Sequence, residues 1–226
     1  MLVQKTSSIV SARSVKTRNR LLKTTESIFA TRGFEGLTLR EVALRSHTNL
    51  AAAHYHFGSK EAMVLEMLQA RVKPINQRRM QYLAEAREKS AGKPLSTKDI
   101  LRALIFPIGE EIAKSTHTRQ TLAQLVARTF TEPARFIQTM HRKFFGELCE
   151  KFMDELRKTH PMVKEQDLYW NLHLAISSML GALAQHRRLN DFSKGICDEE
   201  DTQDMINRLI TFATHGFEAG ISRPSL

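Results

Sequence analysis

The sequence predicts an all-α chain, with a small N-terminal three-helix unit containing a helix-turn-helix and a larger helical body after it. Three observations carry that prediction. From Thr38 to Lys60 the stretch TLREVALRSHTNLAAAHYHFGSK holds two short helical patterns, each with its own capping residue, around a polar turn. Beyond Lys60 apolar residues recur at three- and four-residue spacing, and no convincing alternating strand appears. Charge is lopsided: residues 1–60 carry ten Lys and Arg against three Asp and Glu, a net of +7, which leaves +3 of the formal +10 for the other 166 residues. A basic headpiece on a near-neutral body suits a module that meets the phosphates of a nucleic acid.

Taken in order, residues 1–15 are expected to be a flexible basic tail, residues 16–62 a DNA-binding domain with its helix-turn-helix at about 39–58, and residues 63–226 the body. The start of the chain lacks the continuous apolar core of a secretion signal. Lys5, Arg13, Lys16, Arg18, Arg20 and Lys23 either form a solvated basic face or lie along phosphate or in a minor groove. Thr38 is placed to cap the next helix, and Glu41 three residues on to complete a capping box. Leu39, Val42 and Ala43 then share one face over 39–45. Ser46, His47, Thr48 and Asn49 interrupt the pattern, and Asn49 caps a second helix, Leu50 to His56.

That second helix is small and apolar at its start and crowded with His54, Tyr55 and His56 at its end. Small residues permit close approach to a groove, alanine can touch a thymine methyl, and Tyr and His can hydrogen-bond phosphate or base edges. Lys60 can add a phosphate contact at the start of the following helix. The candidate DNA-binding residues are Thr38, Arg40, Asn49, Leu50, Ala51, Ala52, His54, Tyr55, His56 and Lys60. Leu50 to His56 contains no Arg, Asn or Gln for bidentate base readout, so the operator sequence stays open.

At these residues the chain resembles the TetR family of one-component transcriptional regulators. The resemblance covers roughly residues 17–68 and rests on Phe29, Gly33 and Phe34, then Thr38, Val42 and Ala43, then Tyr55, Phe57, Ser59, Lys60 and Glu61. It implies that Leu50 to His56 is the recognition helix and that Thr38, Tyr55 and Lys60 hold the DNA backbone. It also implies a twofold dimer, formed by the last long helices, on a palindromic operator. The family turn commonly reads Ala-Gly-Val-Ser, whereas here it reads Ser46-His47-Thr48-Asn49. A positive φ at His47 would be strained without glycine, and Thr48 replaces an apolar anchor.

In the body, Met63, Val64, Met67, Leu68 and Val72 continue a helix that starts near Ser59, and Pro74 predicts a kink or break before Ile75 to Lys89 resumes. Ser90 to Pro94 reads as a linker. Ile100, Leu101, Leu104, Ile105, Ile108 and Ile112 form a stripe that Pro107 must bend, and Leu122, Leu125, Val126 and Phe130 belong to a further helix. Phe136 to Leu156 runs down a long helix that stops by Pro161.

The last helices, Leu168 to Leu189 and Gln203 to Gly220, are amphipathic and carry small residues that let helix axes approach. Met179, Gly181, Leu183, Leu209, Phe212, Ala213 and Gly216 are the candidate dimer seam, the alternative being packing within one subunit. Phe106, Phe130, Met140, Phe144, Trp170, His173 and Ser177 are the candidate effector pocket, the alternative for each being ordinary core or surface. Nine methionines and twelve phenylalanines against three tyrosines favour an apolar or amphipathic effector. Residues 187–217 and AAAHYHFGSKEAM resemble a subgroup with PsrA-like fatty-acid-responsive repressors, which implies an acyl or other hydrophobic inducer.

Enzyme chemistry finds no foothold in the pattern. There is no HExxH, GxSxG, Walker loop or GxGxxG, and His54 and His56 sit two apart on different sides of a helix. No catalytic residue, metal or cofactor is expected. Cys149 and Cys197 read as buried free thiols. With no run of eighteen apolar residues, no membrane span is expected and the cytoplasm is the default location. The expected partners are double-stranded operator DNA, a second copy of the chain and a small hydrophobic effector. The function so predicted is a dimeric sequence-specific regulator, a repressor released by its effector; the alternative is an effector-independent architectural or nucleoid-like DNA binder.

Overall fold

The computed structural model describes residues 12–114, 116–129, 132, 134–185, 188–198 and 200–222. Among them are ten helices and no strand: α1 Ala12–Arg32, α2 Leu39–Arg45, α3 Leu50–Phe57, α4 Lys60–Lys89, α5 Thr97–Ile112, α6 Thr116–Thr129, α7 Ala134–Thr159, α8 Glu165–Ala184, α9 Arg188–Ser193 and α10 Thr202–Ile221. The chain divides into two compact units, one up to Ala70 and one from Arg71 onward. That division falls inside α4, later than the 62/63 boundary the sequence suggests.

The first unit is built on α1. Leu21, Thr25, Ile28 and Phe29 recur at helical spacing and are buried, and the Thr25 hydroxyl is satisfied by the Leu21 carbonyl at 2.8 Å. Gly33 ends the helix with φ 72°, its amide returning to the Phe29 carbonyl at 2.8 Å. Val42 from α2, Ala53 and Phe57 from α3, and Met63, Val64 and Met67 from α4 close the core. α1 begins at Ala12, inside the span 1–15 expected as a tail; residues 1–11 lie outside the described part.

Pro74 neither breaks α4 nor ends it: the helix runs unbroken from Lys60 to Lys89. The ring sits on the exposed side, so the loss is one amide donor in a helix whose apolar residues are buried both before it, at Met67 and Leu68, and after it, at Ile75 and Leu83. Pro107 is likewise internal to α5, here buried. Between these helices Ser90 to Pro94 is the expected connection, turning through Ala91 at φ 49° and Gly92 at φ 83°.

In the second unit α5 is the central element, packed by α6, α7 and α10, while α8 packs on α6, α7 and α10. Ile100, Leu101, Ile105 and Ile112 meet a core that includes Phe152, Leu156, Leu168, Leu172, Ile210 and Phe217. Gly109 sets the approach of α10: a Cβ there would stand 2.7 Å from Ile206 Cγ1. The expected helix Leu168–Leu189 ends earlier, at Ala184, because Gln185 leaves helical geometry with φ −116° and its amide closes on Gly181; Leu189 belongs to the separate α9.

Four residues assigned to a dimer seam are corrected by this packing. Met179, Leu183, Leu209 and Ala213 are buried in the chain's own core. Apolar periodicity marks the face a helix buries, and here α8 and α10 bury it against each other and, for α10, against α5. Gly181, half-buried, and the exposed Phe212 and Gly216 remain on the outside.

Candidate nucleic-acid interface

Thr38 is extended, φ −130° and ψ 148°, and its hydroxyl oxygen accepts the Glu41 amide at 3.2 Å, which makes it the cap of α2. The other half of the expected capping box goes elsewhere. One Glu41 oxygen is held by Arg32 at the end of α1 and the other by Arg45 Nε at 2.9 Å. The hydrogen bond from Arg32 holds the Glu41 carboxyl below its ordinary range.

The turn carries the positive φ that the sequence makes costly, 51° at His47. Hydroxyls replace the missing apolar anchor at Thr48. Ser46 Oγ donates to the Ala43 carbonyl at 3.1 Å, the Thr48 hydroxyl lies 2.9 Å from that of Ser46, and the Thr48 amide donates to Ala43 at 2.9 Å. The C-terminal carbonyls of α2 are thus satisfied locally. Asn49 then caps α3, its Oδ1 accepting the Ala52 amide at 2.7 Å.

Within α3 the inward and outward faces separate cleanly. Ala53 and Phe57 are buried, whereas Leu50, Ala51, His54 and Tyr55 are exposed, Tyr55 by 84%. Within α3 these fall at i, i+1, i+4 and i+5, one continuous outward ridge, and His47 is exposed in the turn before it. Ala52 and His56 are half-buried at its edges, and Arg40 is exposed on α2. His54 Nδ1 lies 3.2 Å from the Gly58 carbonyl, so the tautomer that donates there keeps Nε2 as an acceptor. Gly58 ends α3 at φ 73°.

The basic residues divide in a way the sequence does not reveal. Arg18 pairs with Glu66 and lies over the Phe57 ring, so it fastens α1 to α3 and α4. Lys60, expected on phosphate, donates to the Phe34 carbonyl at 3.1 Å with its ammonium 4.2 Å from the Phe34 ring centre. Two of its three N–H groups remain for another acceptor. Arg13, Lys16, Arg20 and Lys23 are exposed on one face of α1 at helical spacing.

The predicted effector residues scatter. Met140 is buried, Phe144 is half-buried, and Phe106 packs edge-on against Tyr82 under Arg102. Trp170, 58% exposed, stands edge-on to His173, and Ser177 Oγ is 3.5 Å from His173 Nε2; these three lie toward the outside of α8, where apolar spacing could not separate a pocket wall from a surface. Phe130 lies outside the described residues. Cys149 is half-buried, but Cys197, expected buried, is exposed after α9.

Residues 21–67 match the family model for bacterial regulatory proteins of the tetR family, and residues 102–216 match the tetracyclin repressor-like C-terminal domain, which alone spans just over half of the chain. The chain belongs to the TetR family. It is a transcription regulator whose DNA-binding helix-turn-helix is α2 and α3. Among solved TetR-family structures it is similar to NalD from Pseudomonas aeruginosa, the secondary repressor of the MexAB-OprM multidrug efflux pump, with 22% identity, TM-score 0.59, and 88% of this chain and 96% of that one covered. It is similar to HlyIIR, a hemolysin II transcriptional regulator, with 20% identity, TM-score 0.54, and 89% and 98% covered. A TetR regulator from Legionella pneumophila shares 17% identity at TM-score 0.54, with 98% and 100% covered. At these identities the likeness is one of fold. No curated protein matches the chain. Among the described residues no helix of this TetR-family protein is long and apolar enough to cross a membrane.

Proposed function

We propose that the protein is a cytoplasmic, dimeric, sequence-specific repressor that leaves its operator when a hydrophobic or amphipathic small molecule binds the helical body. The observation that carries the reading is the outward ridge of α3, where Leu50, Ala51, His54 and Tyr55 are exposed behind a cap and a hydrogen-bonded turn. In this reading Thr38, Asn49, Tyr55 and Lys60 hold phosphates, with Arg40 and His56 beside them. Leu50, Ala51, Ala52 and His54 meet base edges.

A second copy is supported by what α8 and α10 leave uncovered. Trp170, Leu174, Ser177 and Gly181 recur at i, i+4, i+7 and i+11 on α8, and Phe212 and Gly216 stand on α10. A Cβ at Gly181 or Gly216 would meet nothing within 4 Å, which leaves room for a facing helix. Two such pairs make a four-helix bundle with twofold symmetry. Coupling from body to headpiece is assigned to α4, the helix that contributes residues to both units. Repression is supported by likeness to NalD, the secondary repressor of the MexAB-OprM multidrug efflux pump.

Selection of genomic fragments by the purified protein tests the proposal. Palindromic half-sites recovered by a dimer are the expected result. Affinity indifferent to sequence would overturn it in favour of an architectural DNA binder.

A further inference from the structure

Arg79 on α4 is 4% exposed, among helices of the body. Its Nε donates to the Leu104 carbonyl at 2.8 Å, Nη1 to Asn76 Oδ1 at 3.0 Å, and Nη2 reaches Met179 Sδ at 3.9 Å. All three acceptors are neutral, and the sulfur is a weak one. Its neighbour in sequence is treated differently: Arg78 holds Glu110 through Nε at 3.0 Å and Nη2 at 3.2 Å. Arg119, also buried, is paired with Glu200. Among the described residues, no carboxylate lies within ion-pair distance of Arg79.

These bonds leave the charge uncompensated: the Leu104 carbonyl, the Asn76 amide oxygen and the Met179 sulfur take N–H groups without supplying a negative charge. Burial lowers the guanidinium pKa only to about 10, so the charge persists near neutrality. Cys149, the titratable group coupled to it, is itself pushed up by burial and stays a neutral thiol. A buried cation without a counter-ion is costly unless something supplies the anion.

We propose that Arg79 is the anion anchor of the effector site, and that the ligand class is an amphipathic monoacid whose carboxylate takes the N–H groups now spent on Met179. The inference rests on the proposed effector-responsive body and adds the charge of the ligand's head. Asn76 is the positioning residue: its Nδ2 donates to the Phe144 carbonyl at 2.8 Å while its Oδ1 holds Arg79. The tail belongs with the apolar cluster that contains Leu104, Leu148, Phe152 and Met179. Met179 is an unbranched thioether able to repack around it.

Dodecanoate and its uncharged methyl ester are the probes, read by thermal unfolding, operator binding and alkylation of the two cysteines. Dodecanoate stabilises the wild-type protein and the ester does not; Arg79→Met binds dodecanoate at least about tenfold more weakly, with Arg79→Lys between them. Because Arg79→Met can fail to fold, the wild type supplies a second readout: dodecanoate slows iodoacetamide at Cys149 and leaves the exposed Cys197 unchanged. Equal binding of acid and ester, undiminished binding by Arg79→Met, or no protection of Cys149 overturns the anchor. Arg79-dependent binding without operator release keeps the anion site and removes effector-driven release from the proposed function. Release by the ester, independent of Arg79, does the reverse.

Discussion

Asn49 and Thr38 have one role fixed by the fold, as helix caps, and a second, DNA contact, assigned by the proposed function. Both cap helices by accepting an amide, Asn49 at 2.7 Å and Thr38 at 3.2 Å, and both caps are readable in the sequence because capping is local. Aspartate caps as well as asparagine, yet it replaces two donors by a negative charge. Asn49→Asp is therefore expected to leave urea unfolding within about 0.5 kcal/mol of wild type, while operator affinity in fluorescence anisotropy falls at least roughly tenfold. Tyr55 and Lys60 separate in the opposite sense. Tyr55→Phe removes a hydroxyl from an exposed ring and should lower DNA affinity uniformly across sequences without changing stability. Lys60→Ala should lower affinity and also cost about 1 kcal/mol of stability, because the ammonium bonds the Phe34 carbonyl and ring. That second role is invisible in sequence: Phe34 lies 26 residues away. Glu41 misleads for the same reason, its guanidinium partner Arg32 belonging to another helix.

Elements were legible wherever burial and periodicity agree. The stripe from Ile100 to Ile112 is buried along its length, and the caps at Thr38 and Asn49 fix where α2 and α3 begin. Proline was the poor guide. Pro74 signals a kink or a break, and no break occurs; Pro107, expected to bend its stripe, also lies inside a continuous helix, apolar burial on both sides of each ring outweighing one missing hydrogen bond. Close helix approach was equally hidden, because a glycine in a helix says nothing about what faces it. Gly109→Ala is expected to destabilise the body by about 1–3 kcal/mol through overpacking against Ile206, measured by chemical denaturation. Gly146→Ala, exposed on α7, meets open space in the chain and should instead raise stability by up to about 1 kcal/mol in the same measurement. In the turn, His47 keeps its positive φ without glycine, and the Ser46 and Thr48 hydroxyls hold the corner together.

For the whole molecule, sequence patterning distinguishes a helical face that is buried from one that is not, but not which chain buries it. Met179, Leu183, Leu209 and Ala213 belong to the core, and Trp170, Leu174 and Phe212 are exposed, which is why the proposed dimer is assigned to them. Phe212, 67% exposed, tests the point: Phe212→Asp should leave the helical fold intact, shift sedimentation from dimer to monomer, and weaken operator binding at least roughly 100-fold as two half-sites are no longer linked. The division of the headpiece cations carries a further consequence for how binding answers to ionic strength. Arg18, Arg32 and Arg45 already face Glu66 or Glu41, and Lys60 leans on a carbonyl. Lys60 keeps its charge and has N–H groups left for a phosphate, so the ions displaced from DNA are counted by Arg13, Lys16, Arg20, Lys23, Arg40 and Lys60 rather than by net charge. Each contact removed from that set should flatten the plot of log affinity against log salt by about 0.9, whereas Arg18→Gln should leave the slope alone and loosen the headpiece instead.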